Sequence, residues 1–480
     1  MLVAVVLVSM PFQWNGNEEN YLLLAYRWWA PATASPLDAV ADAGASGGKF
    51  LVFALLGASV SLLGFEGARL ALFALLAALL AWSLARLARA FGLTPWQAAT
   101  AVALFCLCRQ TTMGGEWFLV SVEAKTFAYA FAMLGLADAL ELRPLRATLW
   151  SLLSFYCLFL IGAFWFAVAA AAYALASGRW RTGAAMGAAF ATAAAPLLTV
   201  LAGLQRRFAT LRPPPGLPDA DAIYAALRLP HHLSPFAPVG GWTDKVPVGL
   251  AVAAATAGIA WWARRRAAEP RERAAATIVL ALAAYPLLAV GLSWIDRDAH
   301  RLGKLYLFRP LSLSLLLALF VAVRLWSRHA PGRRWSWRVP AALALAAFAA
   351  LALRGSLSRQ SPTPPRTMDA MVAAVRERVD AREAVLLDPS LDRTYSLERR
   401  LRRPTVVNWK FVPTDPADLY RWADLLARRR RAFAGDCSAI PTGVGAMVLL
   451  AEHMAGAACG RIGWTDGHLV LVTLRPRGRP

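Results

Sequence analysis

The sequence predicts an α-helical polytopic membrane protein with about eleven transmembrane helices, followed by a C-terminal α/β soluble domain. Of its 480 residues, 58% are hydrophobic, and the mean hydropathy is +0.47. Only 17% are charged, whereas a soluble domain carries about a quarter. Most of these charges lie between long apolar runs or after residue 354. We therefore expect a transmembrane domain over 1–354, a linker over 355–366 and an extracytoplasmic α/β domain over 367–480.

The individual spans follow from the length of each apolar run, because a helix needs roughly 20 residues to cross a hydrocarbon core of about 30 Å. The run 147–177 is too long for one crossing and predicts two short helices that turn near Gly162. Residues 50–65 follow a Gly-rich loop and precede Glu66, which favours an interfacial or re-entrant helix. The run 1–12 is too short to span and lacks a basic leader, which favours a missing N-terminal stretch over a signal peptide. The predicted spans are 67–88, 96–113, 126–141, 147–161, 162–177, 183–204, 247–263, 274–294, 306–325 and 339–353.

Arginines in the short loops predict the orientation, because basic loops stay in the cytoplasm. Five such loops fall on one side, so the longer loops and the tail after residue 354 are expected outside a bacterial plasma membrane. The net charge of +22 by itself suggests nucleic acid. The basic residues that carry this charge lie at the ends of hydrophobic runs, which argues against a nucleic-acid partner. The basic loops hold Arg86 and Arg89, Arg143 and Arg146, Arg179 and Arg181, and the clusters 264–273 and 324–338.

The tail alternates helix-like and strand-like patterns after a proline-rich linker, which predicts a small α/β layer domain. No glycine-rich phosphate-binding signature follows any predicted strand, so a nucleotide site is unsupported. Cys437 and Cys459 share this domain and can pair if it faces an oxidising compartment. The predicted helices are 367–380, 392–402 and 415–433, and the predicted strands are 384–388, 404–408 and 468–473.

An acidic pair, Glu18 and Glu19, lies at the outer edge of the bilayer and is followed by an amphipathic stretch from Tyr21. A carboxylate there can take a proton from an acceptor hydroxyl, with its pKa raised by partial burial. The alternative is an ordinary helix N-terminus, where the dipole favours acids.

A second acidic segment precedes the span 126–141 and contains Glu116, Glu123 and Lys125. Glu123 and Lys125 have little room to be solvated at that position. We therefore expect them to pair with each other or to face a cavity.

The cationic candidates lie in two further outer loops. His231 and His232 follow Arg228 in a proline-bounded loop and can bind phosphate or metal; without a clear third ligand, metal is the weaker choice. Lys304 and Arg309 flank the start of a span, where cations suit the phosphate of a lipid headgroup or a lipid-linked substrate. For Arg309, simple snorkelling to the interface is the alternative.

The segment Glu18-Glu19-Asn-Tyr21-Leu-Leu-Leu-Ala25 resembles the acidic motif in the first outer loop of the GT-C superfamily of membrane glycosyltransferases. These enzymes use polyprenyl-phosphate-linked sugars, and many carry Asp where this chain has Glu. Four other segments are similar to one bacterial branch of the superfamily. No Asp-x-Asp motif is present, so dependence on a divalent cation is left open. The four segments are Glu-Trp-Phe…Glu-x-Lys, Arg-x-Pro-His-His, Lys-Leu-Tyr-x-Phe-Arg and the tail stretch from Arg399 to Trp422.

This resemblance implies an inverting glycosyltransferase at the outer membrane face, with a polyprenyl-phosphate-linked sugar and membrane lipids as partners and an open choice of acceptor. Glu18 or Glu19 would be the general base, with Glu116 or Glu123 assisting. The loop cations would hold the donor phosphate, and acids and cations are expected to share one cavity. The residues assigned to the phosphate are Arg228, His231, His232, Lys304 and Arg309, with Lys125 and Tyr21 in supporting positions.

Two other classes of protein remain open. A transporter or lipid flippase would carry ionisable groups near the bilayer midplane, often in an internal repeat, and neither pattern is evident in the sequence. A non-enzymatic assembly or sensor protein would need its tail surface but not the outer carboxylates.

Overall fold

The structure, a computed structural model, divides into two compact units. The first unit comprises Met1–Gln13, Leu70–Ala202 and Tyr224–Ser358, and the second comprises Trp14–Arg69, Gly203–Ile223 and Arg359–Pro480. The structure describes residues 5–7, 10, 14, 16–30, 48–114, 116–237, 240–329, 342, 344, 346–348, 350, 365–393, 396–401, 405–409, 412–413 and 415–474.

Most of the described chain is helical. Within the described residues, ten helices of more than ten residues precede the tail: α1 (Gly16–Trp29), α2 (Phe50–Ala90), α3 (Pro95–Leu107), α4 (Ala124–Leu140), α5 (Pro144–Cys157), α6 (Phe159–Ser177), α7 (Trp180–Thr210), α8 (Val246–Arg266), α9 (Pro270–Ile295) and α10 (Leu311–His329).

Six of the described helical segments are long and apolar enough to cross a membrane, which fits a multi-pass membrane protein. Helices α3, α4 and α5 have only 13, 17 and 14 residues. At 1.5 Å per residue they are about 20–26 Å long, below the thickness of the hydrocarbon core. The count of eleven spans stays a prediction, and the predicted segments 1–12 and 339–353 lie largely outside the described residues. The six segments are Phe50–Ala90, Phe159–Ser177, Trp180–Thr210, Thr243–Arg266, Pro270–Ile295 and Leu311–Arg328.

Two apolar runs divide close to the boundaries expected from the sequence. The helices expected at 50–65 and 67–88 are both present within α2, on either side of a break at Gly64, where φ is 68° and ψ is 176°. The run 147–177 also divides into two helices, and its break is at Leu158, in an extended conformation, four residues before Gly162. Gly162 has another role: a Cβ there would lie 2.2 Å from the Cα and N of Phe155. It permits the close approach of α5 and α6.

Replacing Gly162 with alanine is expected to destabilise the protein by about 1–3 kcal/mol or more, because the added methyl group would meet backbone that cannot rotate away. Gly187 is the matched control, since it also lies within a helix and a Cβ there would meet nothing within 4 Å. Gly187→Ala should be neutral or stabilising by up to about 1 kcal/mol. Thermal unfolding of the two purified variants in detergent checks this difference, and equal melting temperatures would contradict it.

The tail contains three helices, α11 (Pro365–Arg378), α12 (Ser396–Leu401) and α13 (Pro416–Phe433), and four strands. The strands are β1 (Ala384–Leu387), β2 (Val444–Leu450), β3 (Arg461–Thr465) and β4 (Leu469–Thr473), in the sheet order β1-β2-β4-β3. Strand β2 is parallel to β1 and antiparallel to β4, which is also antiparallel to β3. Apolar side chains of α11, including Met371 and Val375, pack with buried strand residues to form the tail core.

The tail therefore contains the expected mixture of helices and strands, with a small sheet whose strands differ from the expectation, and its boundaries as a separate domain stay a prediction. The predicted strand 404–408 is reduced to a single bridge between Thr405 and Val385, on the edge of β1 that β2 leaves open. Strands β2 and β3 were not predicted from the sequence. Cys437 and Cys459, 22 residues apart, form a disulfide.

Candidate functional site

The acidic pair opens α1, a 14-residue helix in the second unit that begins at Gly16. The helix dipole favours acids in this first turn. The dipole does not account for their burial, because Glu18 is 0% and Glu19 only 5% exposed. Two buried carboxylates need compensating charge or protonation.

Two arginines from distant parts of the second unit supply that compensation. The Nε of Arg69 donates to Oε2 of Glu18 at 2.9 Å. The Nε of Arg399, in α12 of the tail, donates to Oε1 of Glu19 at 3.1 Å. Each acid thus has its own guanidinium partner.

The indole of Trp14 connects the two ion pairs. The guanidinium carbons of Arg399 and Arg69 lie 4.2 Å and 5.0 Å from its ring centroid. Its Nε1 donates to Glu66 at 3.0 Å, and Glu66 also accepts from Arg399. Cations over an indole face are stabilised by its quadrupole. We call this group the Glu19 cluster: Trp14, Glu18, Glu19, Glu66, Arg69 and Arg399.

Glu19 differs from an ordinary carboxylate in its protonation. Burial raises its pKa from 4.5 to about 7; Arg399 lowers the pKa in part, and the neighbouring Glu18 raises it further. Within the described residues, Oε2 of Glu19 accepts no hydrogen bond. Near neutral pH this oxygen can therefore either hold or accept a proton.

Tyr21, on the next turn of α1, has an aromatic environment. Its ring meets Phe53 edge-on at a centroid distance of 6.2 Å, and the Nζ of Lys49 lies 5.4 Å from its centroid. These contacts place Tyr21 in the packing of the second unit.

A separate ionic network surrounds Glu116 in the first unit. Glu116 lies in the loop between α3 and α4 and is 2% exposed, and its backbone oxygen accepts from the hydroxyl of Ser312 at 2.7 Å. The Nε of Arg309 donates to Oε1 of Glu116 at 3.1 Å, and the Nζ of Lys125 lies 3.6 Å from Oε2. One carboxylate is thus shared by two cations.

Glu123 completes the charge balance of this network. It precedes α4, lies 3.4 Å from the Nζ of Lys125 and accepts from the Ser121 hydroxyl at 2.8 Å. Two carboxylates therefore face two cations. Burial raises the pKa of Glu116, but Arg309 and Lys125 outweigh it and hold the pKa at about 2. We call this group the Glu116 cluster: Glu116, Glu123, Lys125, His232 and Arg309.

His232 is a neutral member of the Glu116 cluster. Burial lowers its pKa to about 3, although Glu116 opposes that shift. Its Nδ1 lies 3.2 Å from the carbonyl oxygen of Gly114, which can only accept, so Nδ1 carries the proton. Nε2 then offers a lone pair, which accepts hydrogen bonds. His231 is exposed, and its ring lies tilted against that of His232, with the two centroids 4.0 Å apart.

The remaining predicted cations lie on nearby turns of the first unit. The guanidinium of Arg309 stacks on the Tyr306 ring, 3.5 Å from its centroid. Lys304 lies in the 3-10 turn Gly303–Leu305 and is half-buried. Arg228 ends a π-helical turn and is 6% exposed.

The structure thus gathers some of the predicted residues into two clusters, and the expected convergence of acids and cations in one cavity stays a prediction. Sequence reasoning missed four members of the Glu19 cluster as site residues: Trp14, Glu66, Arg69 and Arg399. Arg69 had a usable signal, because a single arginine within an apolar helix requires a partner. Within the described chain, no three histidine, cysteine or acidic side chains form a possible metal site.

Comparisons with known proteins show a distant structural similarity and no similarity in sequence. No protein-family model matches the chain, and no curated protein sequence matches it. Among solved structures, the chain is similar to an oligosaccharyltransferase from Archaeoglobus fulgidus in complex with zinc and sulfate. The two share 13% identity, with 97% of this chain and 70% of that chain covered and a TM-score of 0.49.

Proposed function

We propose that the protein is a membrane glycosyltransferase that moves a sugar from a polyprenyl-phosphate-linked donor to an acceptor hydroxyl at the extracytoplasmic face, with Glu19 as general base. Glu19 gives this proposal its main support. It is a buried carboxyl group with a pKa of about 7, one oxygen of which is held by Arg399. A general base works best when its pKa lies near the working pH.

In the proposed reaction, the acceptor oxygen attacks the anomeric carbon of the donor sugar while Oε2 of Glu19 takes the hydroxyl proton. The bond between the anomeric carbon and the phosphate oxygen breaks, and its electron pair leaves with the polyprenyl phosphate. Attack opposite the leaving group inverts the configuration. Arg399 keeps the carboxylate oriented through its bond to Oε1.

The neighbouring acid has a different role in this proposal. Glu18 is fully buried against Arg69, and its negative charge raises the pKa of Glu19. We therefore assign proton transfer to Glu19 and electrostatic tuning to Glu18. The acid pair and the tyrosine that follows it also resemble the GT-C motif.

The donor phosphate is assigned to the outer-loop cations of the first unit. Arg309 is held by Glu116 and by the face of Tyr306, which fixes the plane of its guanidinium. A fixed guanidinium suits phosphate oxygens. Lys304, His231 and Arg228 would add charge or hydrogen bonds from neighbouring turns. His232 would accept a hydrogen bond from the donor through Nε2.

Bacterial plasma-membrane location with an outer tail is part of the same proposal. The compact basic loops predict it, and the disulfide between Cys437 and Cys459 fits an oxidising compartment on that side. A membrane-impermeant thiol reagent added to reduced, intact cells would label these cysteines if the tail is outside.

The test is to measure lipid-linked sugar pools and surface glycans in cells whose only copy is wild type or the Glu18→Gln/Glu19→Gln double variant. We expect the donor pool to accumulate and the product sugar to be lost in the double variant. Asp369→Asn removes an acid that is 71% exposed on α11 and serves as the control, with pools equal to wild type. Unchanged pools in a double variant that inserts and folds would refute the enzyme proposal and favour an assembly or sensor protein.

A further inference from the structure

A cavity of about 230 Å³ lies in the first unit, at the ends of four helices that carry basic residues. It is bounded by the end of α2, the end of α8, the start of α9 and the last turns of α10. One water molecule needs only roughly 10–15 Å³ of such space, so this cavity has room for a chemical group of several heavy atoms. We call it the Arg324 pocket.

The charges that line this pocket are unequal. Arg266, Arg324 and Arg328 face one carboxylate, Glu272. The carboxylate accepts from Arg328 at 3.0 Å and from Arg324 at 3.4 Å. Arg266 has no carboxylate within 4 Å among the described residues. Three cations and one anion leave two positive charges for a ligand.

Arg324 also has a hydrogen-bond donor that the described residues do not satisfy. Its Nε is buried and has no partner there, and its guanidinium lies so close to Gly92 that a Cβ would be 3.0 Å from Nη2. An unsatisfied buried donor costs about 1–3 kcal/mol, and more for a charged group. Because this Nε is closed off from the cavity, it is the net positive charge of the lining, and not this donor, that suits the pocket to an anion.

The apolar part of the pocket lining indicates which kind of anion the pocket can bind. Apolar side chains, among them Phe91, Val321 and Leu325, share the lining with the arginines. Trp261 and Trp262, in the last turns of α8, are 47% and 40% exposed. Exposed tryptophans beside arginines at helix ends are typical of the membrane–water interface. An apolar wall at that level contacts a lipid better than it contacts a free ion.

We propose that the Arg324 pocket binds the phosphate of an anionic phospholipid at the basic, predicted cytoplasmic ends of the helices. Cytoplasmic leaflets are rich in anionic lipids, and basic pockets between transmembrane helices suit their headgroups. The phosphate lies among Arg266, Arg324 and Arg328, and the glycerol and upper acyl carbons contact the apolar wall. This inference is independent of the proposed transferase reaction.

The test is native mass spectrometry of the full chain in detergent, titrated with phosphatidylglycerol or phosphatidylcholine. We expect preferential retention of phosphatidylglycerol in the wild type. Arg266→Gln and Arg324→Gln should each lower its affinity about fivefold, which corresponds to about 1 kcal/mol per arginine. Arg265→Gln is the matched control with unchanged affinity, because Arg265 stacks on Trp261, 4.0 Å from its centroid, and does not line the pocket.

A variant that is expected to bind phosphatidylglycerol more tightly distinguishes a change in the pocket from misfolding. Glu272→Gln removes the one acid among the described residues that line the pocket and should raise the affinity for phosphatidylglycerol several-fold. A third arm adds glycerol phosphate as a competitor, and we expect little displacement because it lacks acyl chains. Complete displacement at matched concentration would assign the pocket to a soluble phosphate instead. Equal losses in Arg265→Gln and Arg266→Gln, or weaker binding in Glu272→Gln, would overturn the proposal.

Discussion

Glu19→Gln is expected to lower the rate of sugar transfer by about 100- to 10,000-fold, the range over which a positioned general base contributes. Glutamine keeps the shape of the side chain and can still accept the hydrogen bond from Arg399, but it cannot take up a proton. The loss should therefore appear in kcat more than in KM. Transfer from a synthetic polyprenyl-phosphate-linked sugar to acceptor by purified enzyme measures both constants.

The pH dependence of the wild type gives a second measurement on the same residue. Because the base must be deprotonated, transfer should fall as the pH drops through about 7, the pKa of Glu19. Glu18→Gln removes a charge that raises this pKa, so the acidic limb should move to lower pH. The residual activity of Glu19→Gln should lack that limb. A Glu19→Gln profile that keeps the wild-type limb would exclude Glu19 as the titrating base.

Glu19→Gln should lower the rate of transfer, but above the pKa of Glu19 it should raise the stability of the folded protein. The folded protein holds the Glu19 proton up to a pH of about 7, whereas the ordinary pKa is 4.5. The group therefore favours folding below pH 4.5, and this contribution disappears as the pH rises to about 7, at a cost of about 3 kcal/mol. Above that pH the Gln variant should unfold at a higher temperature than wild type. A lower melting temperature at pH 8 would mean that the carboxylate is structural.

The sequence predicted the acidic pair because its two members are adjacent and lie at the edge of an apolar run. It could not predict their partners. Glu18 and Arg69 are separated by 51 residues, and Glu19 and Arg399 by 380 residues. Such pairs are created by packing between distant elements, and no local pattern encodes them. Trp14 was missed for the same reason.

In the helices and strands, as in the ion pairs, local sequence predicts some features, and contacts between distant segments determine others. Apolar length located the helices of the run 147–177, but only packing against Phe155 shows why glycine is required at position 162. In the tail, 404–408 has the composition of a strand. Strand β2 pairs with one edge of β1 along several residues, whereas Thr405 makes a single bridge on the other edge. How far a segment pairs with a distant strand depends on long-range contacts, which the segment itself does not encode.

Glu116→Gln is expected to be among the most destabilising substitutions, at about 3–5 kcal/mol, because it leaves buried cations without their shared anion. Glu123 would then be the remaining carboxylate of the Glu116 cluster, beside the two cations Arg309 and Lys125. Thermal unfolding followed through the intrinsic fluorescence of the 19 tryptophans measures the loss. Glu141→Gln is the control: Glu141 accepts from Arg86 at 2.8 Å but is 20% exposed, and Arg86 keeps Asp138, so about 1 kcal/mol is expected.

The stabilisation that Glu116 contributes should decrease as the pH falls. The folded-state pKa of Glu116 is about 2, below its ordinary 4.5, so its contribution is complete above pH 4.5 and is lost as the pH falls toward 2. Wild type and Glu116→Gln should therefore converge in stability in acid. Adding Lys125→Met to Glu116→Gln removes one cation with the anion, and the double variant should lose less than the sum of the single losses. Strict additivity would show that Lys125 and Glu116 do not interact, and that Arg309 alone keeps the buried carboxylate ionised.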